Sequence, residues 1–308
     1  MSQPPSPRRS ARVTTATIAR MHADGERIAM LTAYDYPTAR ILDEAGIPML
    51  LVGDSLGQVM LGYDSTVRVT MAEMLHHTKA VSRGTEHALV VADMPFLSYG
   101  VSSEASLENA GQLLREGGAG AVKLEGGERS ARTIETIVRA GIPVMGHIGL
   151  TPQSIHQLGG HRVQGRTREA ARQLLSDALA VQQAGAFAVV LELVPQQLAA
   201  AVTERLRVPT IGIGAGAGCS GQVQVITDVL GMNADFTPKH ARHYVELHDV
   251  IKAAAEAWRA DVVAGAFPGS EQTVDMDEAV LDEVLGRTEL DRPERMEQGA
   301  GIPLDRDL

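Results

Sequence analysis

The sequence predicts an α/β fold, a (β/α)8 TIM barrel built from repeated strand–helix units. Short runs of aliphatic residues alternate with amphipathic stretches between residues 28 and 266. The runs are continuously apolar, which is typical of strands in a parallel sheet that is covered by helices. Most amphipathic stretches end in glycine just before the next run, as helix C-caps do.

Seven strands are predicted in order, at 28–33, 47–54, 88–94, 121–126, 142–149, 187–193 and 208–214. Helical patterns such as SLENAGQLLREGG and TREAARQLLSDALAVQQAG lie between most of them. A weaker pattern, VQVI, predicts an eighth strand at 223–226. Eight units over about 240 residues favour the barrel, and an open doubly wound sheet is the alternative that the same alternation permits.

Composition predicts three parts along the 308 residues. Residues 1–15, rich in Ser, Pro and Arg, are predicted to be a disordered N-terminal extension. Residues 16–268 are predicted to form the barrel, with a helix at 245–265 closing it. Residues 269–308 are predicted to be a partly disordered acidic tail with a helical candidate at 275–286. From residue 271 to the end, 12 acids and 4 arginines carry −8 of the net charge of −10.

The same numbers exclude several classes of protein. Aromatic residues make up only 3% and the net charge is negative, which argues against a nucleic-acid binder. No apolar run approaches the ~20 residues of a membrane-spanning helix, and the N-terminus lacks the apolar core of a secretory signal. The single cysteine, Cys219, excludes an intrachain disulfide and fits a reducing compartment. A cytoplasmic protein is expected.

Several predicted strands end in a side chain that could carry chemistry. Four end in a carboxylate and a fifth in a histidine, namely Asp54, Asp93, Glu125, Glu192 and His147. Each acid alone could be a helix N-cap, but a barrel gathers its strand ends on one face. The repulsion between clustered carboxylates is offset by a cation, and Mg²⁺ takes one or two carboxylates plus waters and substrate oxygens. A zinc site is less expected, because the histidines form no H-x-x-x-H pair and the cysteine stands alone.

Lys123 lies two residues before Glu125, so both side chains point to the same face of one strand. A lysine inside a barrel must be paired or must face an anion. Three roles are therefore open: a structural ion pair, a counter-ion for a substrate carboxylate, or a Schiff-base amine. The neighbouring acids favour metal catalysis over the Schiff base.

The segment GIGAGAGCSGQ (212–222) contains a G-x-G-x-x-G pattern at Gly216, Gly218 and Gly221. A dinucleotide fingerprint opens the first βαβ unit of its domain, whereas this pattern follows the seventh strand. We therefore expect a loop that lets an anion or substrate approach closely, or alternatively a tight turn.

Seven segments carry a resemblance to a known family, in its order and spacing: AYDYPTARILDEAGIPMLLVGDSLG (33–57), VTMAEMLHHTKAVSRG (69–84), VVADMPFLSY (90–99), AVKLEGG (121–127), PVMGHIGLTPQS (143–154), GAFAVVLELVP (185–195) and PTIGIGAGAGCSGQ (209–222). Over 14–266 the chain resembles the ketopantoate hydroxymethyltransferase family. The resemblance implies a catalytic barrel of the phosphoenolpyruvate/pyruvate type, bound Mg²⁺ and a homo-oligomer, typically a decamer. It implies transfer of a hydroxymethyl group from 5,10-methylenetetrahydrofolate to 3-methyl-2-oxobutanoate, giving ketopantoate in pantothenate and coenzyme A synthesis.

The resemblance also implies roles for particular residues. Asp54 and Asp93 would bind the metal and, with it, the substrate, and Glu125 would lie near the metal through water. Ser55 and Lys123 would hold the substrate carboxylate. Chelation of the keto acid by Mg²⁺ would polarise its carbonyl and stabilise an enolate.

Glu192 would be the base that accepts the C3 proton of the substrate. His147 would orient a metal ligand or Lys123, or would be a hydrogen-bonded core histidine. Ser220 stands where many relatives carry Asp, which leaves the Gly-rich loop a backbone role. The acidic tail extends past the usual end of the family.

Two other functions stay open. The carboxylates alone would also suit a folate-independent, Mg²⁺-dependent lyase or aldolase that acts on 2-oxo acids. A barrel repurposed for binding or assembly would be expected to lack one or more of the implied site residues, and all five are present: Asp54, Asp93, Lys123, Glu125 and Glu192.

Overall fold

The structure, a computed structural model, describes residues 11–234 and 236–287. It divides into two compact units, the first ending at His248 and the second beginning at Asp249. The predicted parts 1–15, 16–268 and 269–308 stay predictions, because compactness alone does not show where a catalytic unit ends. Residues 1–10 and 288–308 of the predicted extension and tail lie outside the described residues.

The first unit is a closed barrel of eight parallel strands, each paired with the next along the chain. The strands are β1 (Ile28–Thr32), β2 (Met49–Val52), β3 (Leu89–Asp93), β4 (Ala121–Glu125), β5 (Val144–Gly149), β6 (Ala188–Glu192), β7 (Thr210–Ile213) and β8 (Gly221–Gln224). Strand β1 also pairs with β8, from Ile28↔Gly221 to Leu31↔Gln224. The predicted barrel is therefore confirmed, and the open sheet is wrong.

The helices of this unit are α1 (Thr15–Ala23), α2 (Tyr36–Glu44), α3 (Leu56–Val59), α4 (Met71–Gly84), α5 (Ser103–Arg115), α6 (Glu128–Arg139), α7 (Ile155–Leu158), α8 (Arg168–Gln183), α9 (Gln196–Arg205) and α10 (Ile226–Val229). Several begin at side chains that cap them. Thr70 accepts a hydrogen bond from the backbone N–H of Glu73, whose side chain in turn accepts from the N–H of Thr70. This capping box fixes the start of α4.

The apolar residues form two layers. Inward-facing side chains of the strands, such as Met49, Val91 and Met145, fill the barrel, and Ile18 of α1 packs with them. Helix α1 was not predicted, because Ile18 is its only buried residue and gives no helical periodicity. The second layer lies between the strands and the outer helices, for example Val90 and Leu113.

Strand β8 differs from its prediction of 223–226 and begins two residues earlier, at Gly221. A side chain at this glycine would place its Cβ 2.3 Å from the carbonyl oxygen of Ile28. Glycine is thus required for β8 to approach β1 closely enough to close the barrel. The last predicted strand residue, Ile226, begins α10 instead.

Of the second unit, the structure describes residues 249–287. They include most of α11 (Leu247–Val263) and all of α12 (Glu278–Leu285), which confirms helices near 245–265 and 275–286. From Asp249 onward α11 belongs to this unit. The expectation that this helix closes the barrel stays a prediction. Within the described residues, no helix is long and apolar enough to cross a membrane.

Candidate active site

The barrel register places opposite charges side by side. Strand pairing sets Asp93 beside Lys123 and Glu125 beside His147. The Nζ of Lys123 lies 3.0 Å from Oδ1 of Asp93, and both side chains are buried. Burial opposes the ammonium form, but the carboxylates of Asp93, Glu125 and Asp54 outweigh it and raise the pKa of Lys123. The lysine is therefore cationic, which argues against the Schiff-base role, since that role needs a neutral amine.

Three buried carboxylates surround this one ammonium group. Asp54, Asp93 and Glu125 are 5%, 2% and 1% exposed. The backbone N–H of Asp54 donates to Oδ2 of Asp93 at 3.0 Å. Burial, followed by repulsion from Asp93 and Glu125, raises the pKa of Asp54 well above its usual value. The carboxylates therefore repel one another, and a further cation would relieve this repulsion.

His147 connects this cluster to Glu192. Its Nε2 lies 3.1 Å from Oε2 of Glu192, and its Nδ1 lies 3.5 Å from Oε1 of Glu125 and 3.2 Å from Nζ of Lys123. Burial and the charge of Lys123 oppose protonation, but the two glutamates outweigh them and raise the pKa of His147 to about 9. When Nδ1 of His147 is protonated, its proton faces Glu125. When Nδ1 is unprotonated, it can accept a hydrogen bond from Lys123. When His147 is protonated, it forms an ion pair with Glu192.

Gln153 and Tyr99 belong to the site, although sequence reasoning missed both. The Gln153 amide donates to Oδ2 of Asp54 at 2.8 Å and to the carbonyl oxygen of Met94 at 2.9 Å. Its Oε1 accepts from the Tyr99 hydroxyl at 2.6 Å, and that hydroxyl accepts from the N–H of Glu125 at 3.1 Å. The backbone N–H of Gln153 also donates to Oε2 of Glu125. The only sequence signal was their place in the segments 90–99 and 143–154.

Tyr34 is a third residue that the sequence did not single out. Its hydroxyl lies 2.8 Å from Oγ of Ser55, and its carbonyl oxygen lies 2.6 Å from Nδ1 of His77. Burial raises the pKa of the Tyr34 phenol despite the hydrogen bond with Ser55. The neutral phenol therefore fixes the position of the Ser55 hydroxyl, next to Asp54.

The backbone after Glu192 is strained. Leu193 has a φ of 46°, in the left-handed region that bulky residues avoid. Its N–H donates to the carbonyl oxygen of Ile213, and its own carbonyl accepts from the N–H of Gln164. A Cβ at Gly214 would lie 2.6 Å from Cδ2 of Leu193. Neighbouring strands and a glycine thus hold the turn that presents Glu192.

The remaining glycines of this loop pack closely against α9. A Cβ at Gly216 would meet Gln196 at 2.4 Å, and one at Gly218 would meet Ala200 at 2.8 Å. These contacts favour the tight-turn interpretation. The Ser220 hydroxyl accepts from the N–H of Thr210 at 3.3 Å, so it joins β7 to the loop.

The side chains fit Mg²⁺ better than a closed protein site. Among the described residues, no group of three His, Cys, Asp or Glu side chains is arranged to hold a metal ion. Oε1 of Glu125 is buried and makes no hydrogen bond with the residues the structure describes. A few buried carboxylate oxygens, supplemented by water and substrate oxygens, match the needs of Mg²⁺.

Sequence comparison assigns the chain to a family. Residues 12–270 match the family described as ketopantoate hydroxymethyltransferase. The chain belongs to this family. A ketopantoate hydroxymethyltransferase relative from Chloroflexus aurantiacus, named 3-methyl-2-oxobutanoate hydroxymethyltransferase, is 59% identical over 275 residues, covering 89% of this chain and 97% of the relative. A relative of the same name from Chloroflexus aggregans is 60% identical over 278 residues, covering 90% and 99%.

Solved structures support the fold alone. A phosphonomutase-like protein from Burkholderia cenocepacia has a TM-score of 0.57 at 19% identity, over 70% of this chain and 94% of its own. A 2,3-dimethylmalate lyase, described as a member of the PEP mutase/isocitrate lyase superfamily, has a TM-score of 0.53 at 18% identity, over 88% and 94%. These likenesses support the predicted (β/α)8 barrel.

Proposed function

We propose that the protein transfers a hydroxymethyl group from 5,10-methylenetetrahydrofolate to 3-methyl-2-oxobutanoate, giving ketopantoate for pantothenate synthesis. The observation that carries this proposal is the His147–Glu192 pair beside the buried cluster of Asp54, Asp93 and Lys123. It combines a base with groups suited to a 2-oxo acid, in a chain of the ketopantoate hydroxymethyltransferase family.

Lys123 and Ser55 would hold the substrate carboxylate. Lys123 supplies a positive charge, and Ser55 supplies a hydroxyl that Tyr34 keeps in place. Ser55 follows β2 and Lys123 lies in β4, two residues before its end, so they would orient the keto acid with respect to the acids around them.

Asp54 and Asp93 would hold Mg²⁺, with Glu125 close to it through water. When bound, Mg²⁺ would supply the Lewis acidity that favours the enolate of the keto acid. The mutual repulsion of the three buried carboxylates supports this assignment.

Glu192 would remove the C3 proton of the substrate. Its side chain is 17% exposed, more than those of Asp93, Lys123 and Glu125, so Glu192 is the most open of these groups toward the mouth of the barrel. Nε2 of His147 lies 3.1 Å from one of its oxygens and leaves the other for the substrate. Removing a C–H proton needs a base held at that carbon, and Leu193 fixes the backbone that positions it.

The overall reaction balances with water as a third reactant. The substrate loses its C3 proton and forms a C–C bond to the methylene carbon. Both C–N bonds of that carbon break, and water supplies the hydroxyl group. The C3 proton and the remaining proton of water go to the two nitrogens of tetrahydrofolate.

Proton exchange at C3 tests the base directly. The protein is incubated with 3-methyl-2-oxobutanoate and Mg²⁺ in D₂O without folate, and the C3 proton is followed by NMR. We expect exchange that requires the metal and is lost in Glu192→Gln, while Glu169→Gln, an exposed change on α8, exchanges like the wild type. Undiminished exchange in Glu192→Gln would refute the assigned base.

Addition of methylenetetrahydrofolate then tests the transfer. We expect ketopantoate to form only with folate present. Cleavage of 2-oxo acids without folate, and no ketopantoate with it, would favour the lyase or aldolase instead.

Assembly and location complete the proposal. We propose a cytoplasmic homo-oligomer, a decamer by analogy with the family, with small molecules as its partners. Analytical ultracentrifugation of the full chain measures the subunit number, and a monomer at micromolar concentration would contradict it.

A further inference from the structure

The hydrogen-bond ladder between β3 and β4 opens next to the proposed metal ligands. Strand pairing sets Asp93 beside Lys123, and the N–H of Met94 continues the ladder by donating to the carbonyl oxygen of Lys123 at 2.8 Å. In a parallel ladder, the following hydrogen bond would run from the N–H of Glu125 to the carbonyl oxygen of Met94. In the part of the chain that the structure describes, both of these groups bind side chains instead.

Tyr99 and Gln153 take the place of this backbone hydrogen bond. The N–H of Glu125 donates to the Tyr99 hydroxyl at 3.1 Å, and the Gln153 amide donates to the carbonyl oxygen of Met94 at 2.9 Å. The Tyr99 hydroxyl donates in turn to Oε1 of Gln153 at 2.6 Å, which links the two side chains. Buried backbone groups are nearly always paired. The two side chains therefore keep the ladder open while both of its backbone groups stay bonded.

The Tyr99 hydroxyl sets the direction of these hydrogen bonds. A neutral hydroxyl has one proton to donate. Because its oxygen accepts from the N–H of Glu125, that proton goes to Oε1 of Gln153. The NH₂ group of Gln153 then faces two acceptors, the carbonyl oxygen of Met94 and Oδ2 of Asp54. The side-chain oxygen and nitrogen of Gln153, a residue only 5% exposed, are thus both paired.

We propose that Tyr99 is a positioning residue for the Mg²⁺ site, an inference that rests on the proposed function. It acts through Gln153: its hydroxyl holds Oε1, so that the NH₂ group stays on Oδ2 of Asp54. One oxygen of Asp54 is thereby fixed, and the orientation of this carboxylate is set before a cation binds. The same hydroxyl also holds the backbone of Glu125, the acid at the end of β4.

Loss of the Tyr99 hydroxyl would leave two groups of buried residues without a partner, the N–H of Glu125 and Oε1 of Gln153. Unpaired buried polar groups are costly, so both groups would move toward new partners. The Met94 carbonyl is the acceptor that the ladder offers to Glu125, and the Gln153 amide already binds it. Closing the ladder would therefore compete with the placement of the amide that holds Asp54.

The first test is Tyr99→Phe, which removes only the hydroxyl. Mg²⁺ binding to the full chain is measured by calorimetry without substrate. We expect Kd to rise about 10–100-fold, as is common when a partner of a metal ligand is lost. Tyr63→Phe is the matched control, since Tyr63 is also half-buried and its hydroxyl donates to Glu73 on α4. Equal Kd values for Tyr99→Phe and Tyr63→Phe would overturn the proposal.

The second test asks whether Tyr99 acts through Gln153. We expect the double variant Tyr99→Phe/Gln153→Met to match the Kd of Gln153→Met within about twofold, because the effects of residues in one hydrogen-bond network do not add. If the double variant instead showed the product of the two single effects, Tyr99 would act independently of Gln153, and the proposal would be wrong.

Folate-free C3 exchange distinguishes positioning from general damage to the fold. In Tyr99→Phe we expect the Mg²⁺ concentration for half-maximal exchange to rise in proportion to Kd. The maximal rate should stay within about twofold of the wild type, since a weakened binding step leaves the later chemistry unchanged. A lower maximal rate with an unchanged Mg²⁺ requirement would overturn the proposal.

Failure of the proposed function would appear in the wild type rather than in the variants. A wild-type protein that binds Mg²⁺ but makes no ketopantoate with folate would refute the proposed function, while the comparison of Tyr99→Phe with Tyr63→Phe would still decide the role of Tyr99. A wild type that binds no Mg²⁺ would overturn both.

Discussion

The side-chain amide of Gln153 donates a 2.8 Å hydrogen bond to Oδ2 of Asp54, a residue 99 positions earlier in the chain. The same residue reaches Glu125 through its backbone N–H and accepts from the Tyr99 hydroxyl. Gln153, which lies in the segment that follows β5, thus holds in place two acids, one just after β2 and one at the end of β4. Partners of this kind orient metal ligands before the metal arrives.

Gln153→Met should therefore weaken cation binding, because Oδ2 of Asp54 loses its donor while the size of the side chain is kept. We expect the affinity for Mg²⁺ to fall about 10–100-fold, as is common when such partners are lost. Isothermal titration of Mg²⁺ without substrate measures this. Gln197→Met, an exposed change on α9, is the control. Equal affinities for the two variants would contradict the role of Gln153.

Lys123→Met should destabilise the barrel, because it leaves Asp93 buried without its 3.0 Å partner. Breaking a buried ion pair costs about 3–5 kcal/mol. We expect a lower thermal midpoint, and a larger recovery on adding Mg²⁺ than the wild type shows, since the cation replaces the lost charge. Circular dichroism follows both effects.

Lys79→Met is the matched control for this measurement. Lys79 pairs with Glu116 at 3.7 Å, but both side chains are more than 40% exposed. Exposed pairs contribute at most about 1 kcal/mol. Similar thermal midpoints for Lys79→Met and Lys123→Met would show that the buried ion pair stabilises the fold no more than the exposed one.

Asp43 should stabilise the fold in a pH-dependent manner. Its carboxylate accepts from the backbone N–H groups of Glu86, His87 and Ala88. Burial raises its pKa, but these hydrogen bonds outweigh burial and hold the pKa below 3.8. Because the folded pKa is depressed, its contribution is fully present above the unfolded value and disappears as the pH falls through the folded value.

Asp43→Asn would therefore lower the free energy of unfolding at neutral pH. The loss would be about 1–3 kcal/mol, because some of the backbone N–H donors would face the NH₂ group of the asparagine instead of an acceptor. The difference from the wild type should shrink below pH 3.8. Thermal midpoints measured between pH 3 and 7 test this, with the exposed Asp24→Asn as control. A difference that stayed constant over this range would rule out the ionised carboxylate as its cause.

Deletion of residues 271–308 should leave turnover within about twofold of the full chain, since charged solvated tails act mainly on solubility. The family match ends at residue 270, which supports this expectation. Turnover and sedimentation of the truncated chain are measured beside a shorter deletion of 288–308. Loss of activity or assembly on removing 271–308 alone would assign a function to 271–287.

The predictable part of the fold followed from local patterns. Seven strands lie within the apolar runs from which they were predicted, because a strand buried on both faces must be apolar throughout. The predicted position of β8 was wrong because the start of this strand depends on the contact of Gly221 with Ile28. These two residues lie at opposite ends of the barrel sequence, so a local pattern does not reveal the contact. Helix α1 escaped prediction for a similar reason, since Ile18 packs into the barrel interior rather than along a helical stripe.

The same division holds for the site. The sequence by itself determined which strands end in an acid, because that depends only on the residues that follow an apolar run. Tertiary structure alone decided that Lys123 pairs with Asp93 and that His147 bridges Glu125 and Glu192. Those partners come from the register between strands that are far apart in the chain. Gln153, an uncharged residue in a loop, acquires its importance only because barrel closure brings it to Asp54.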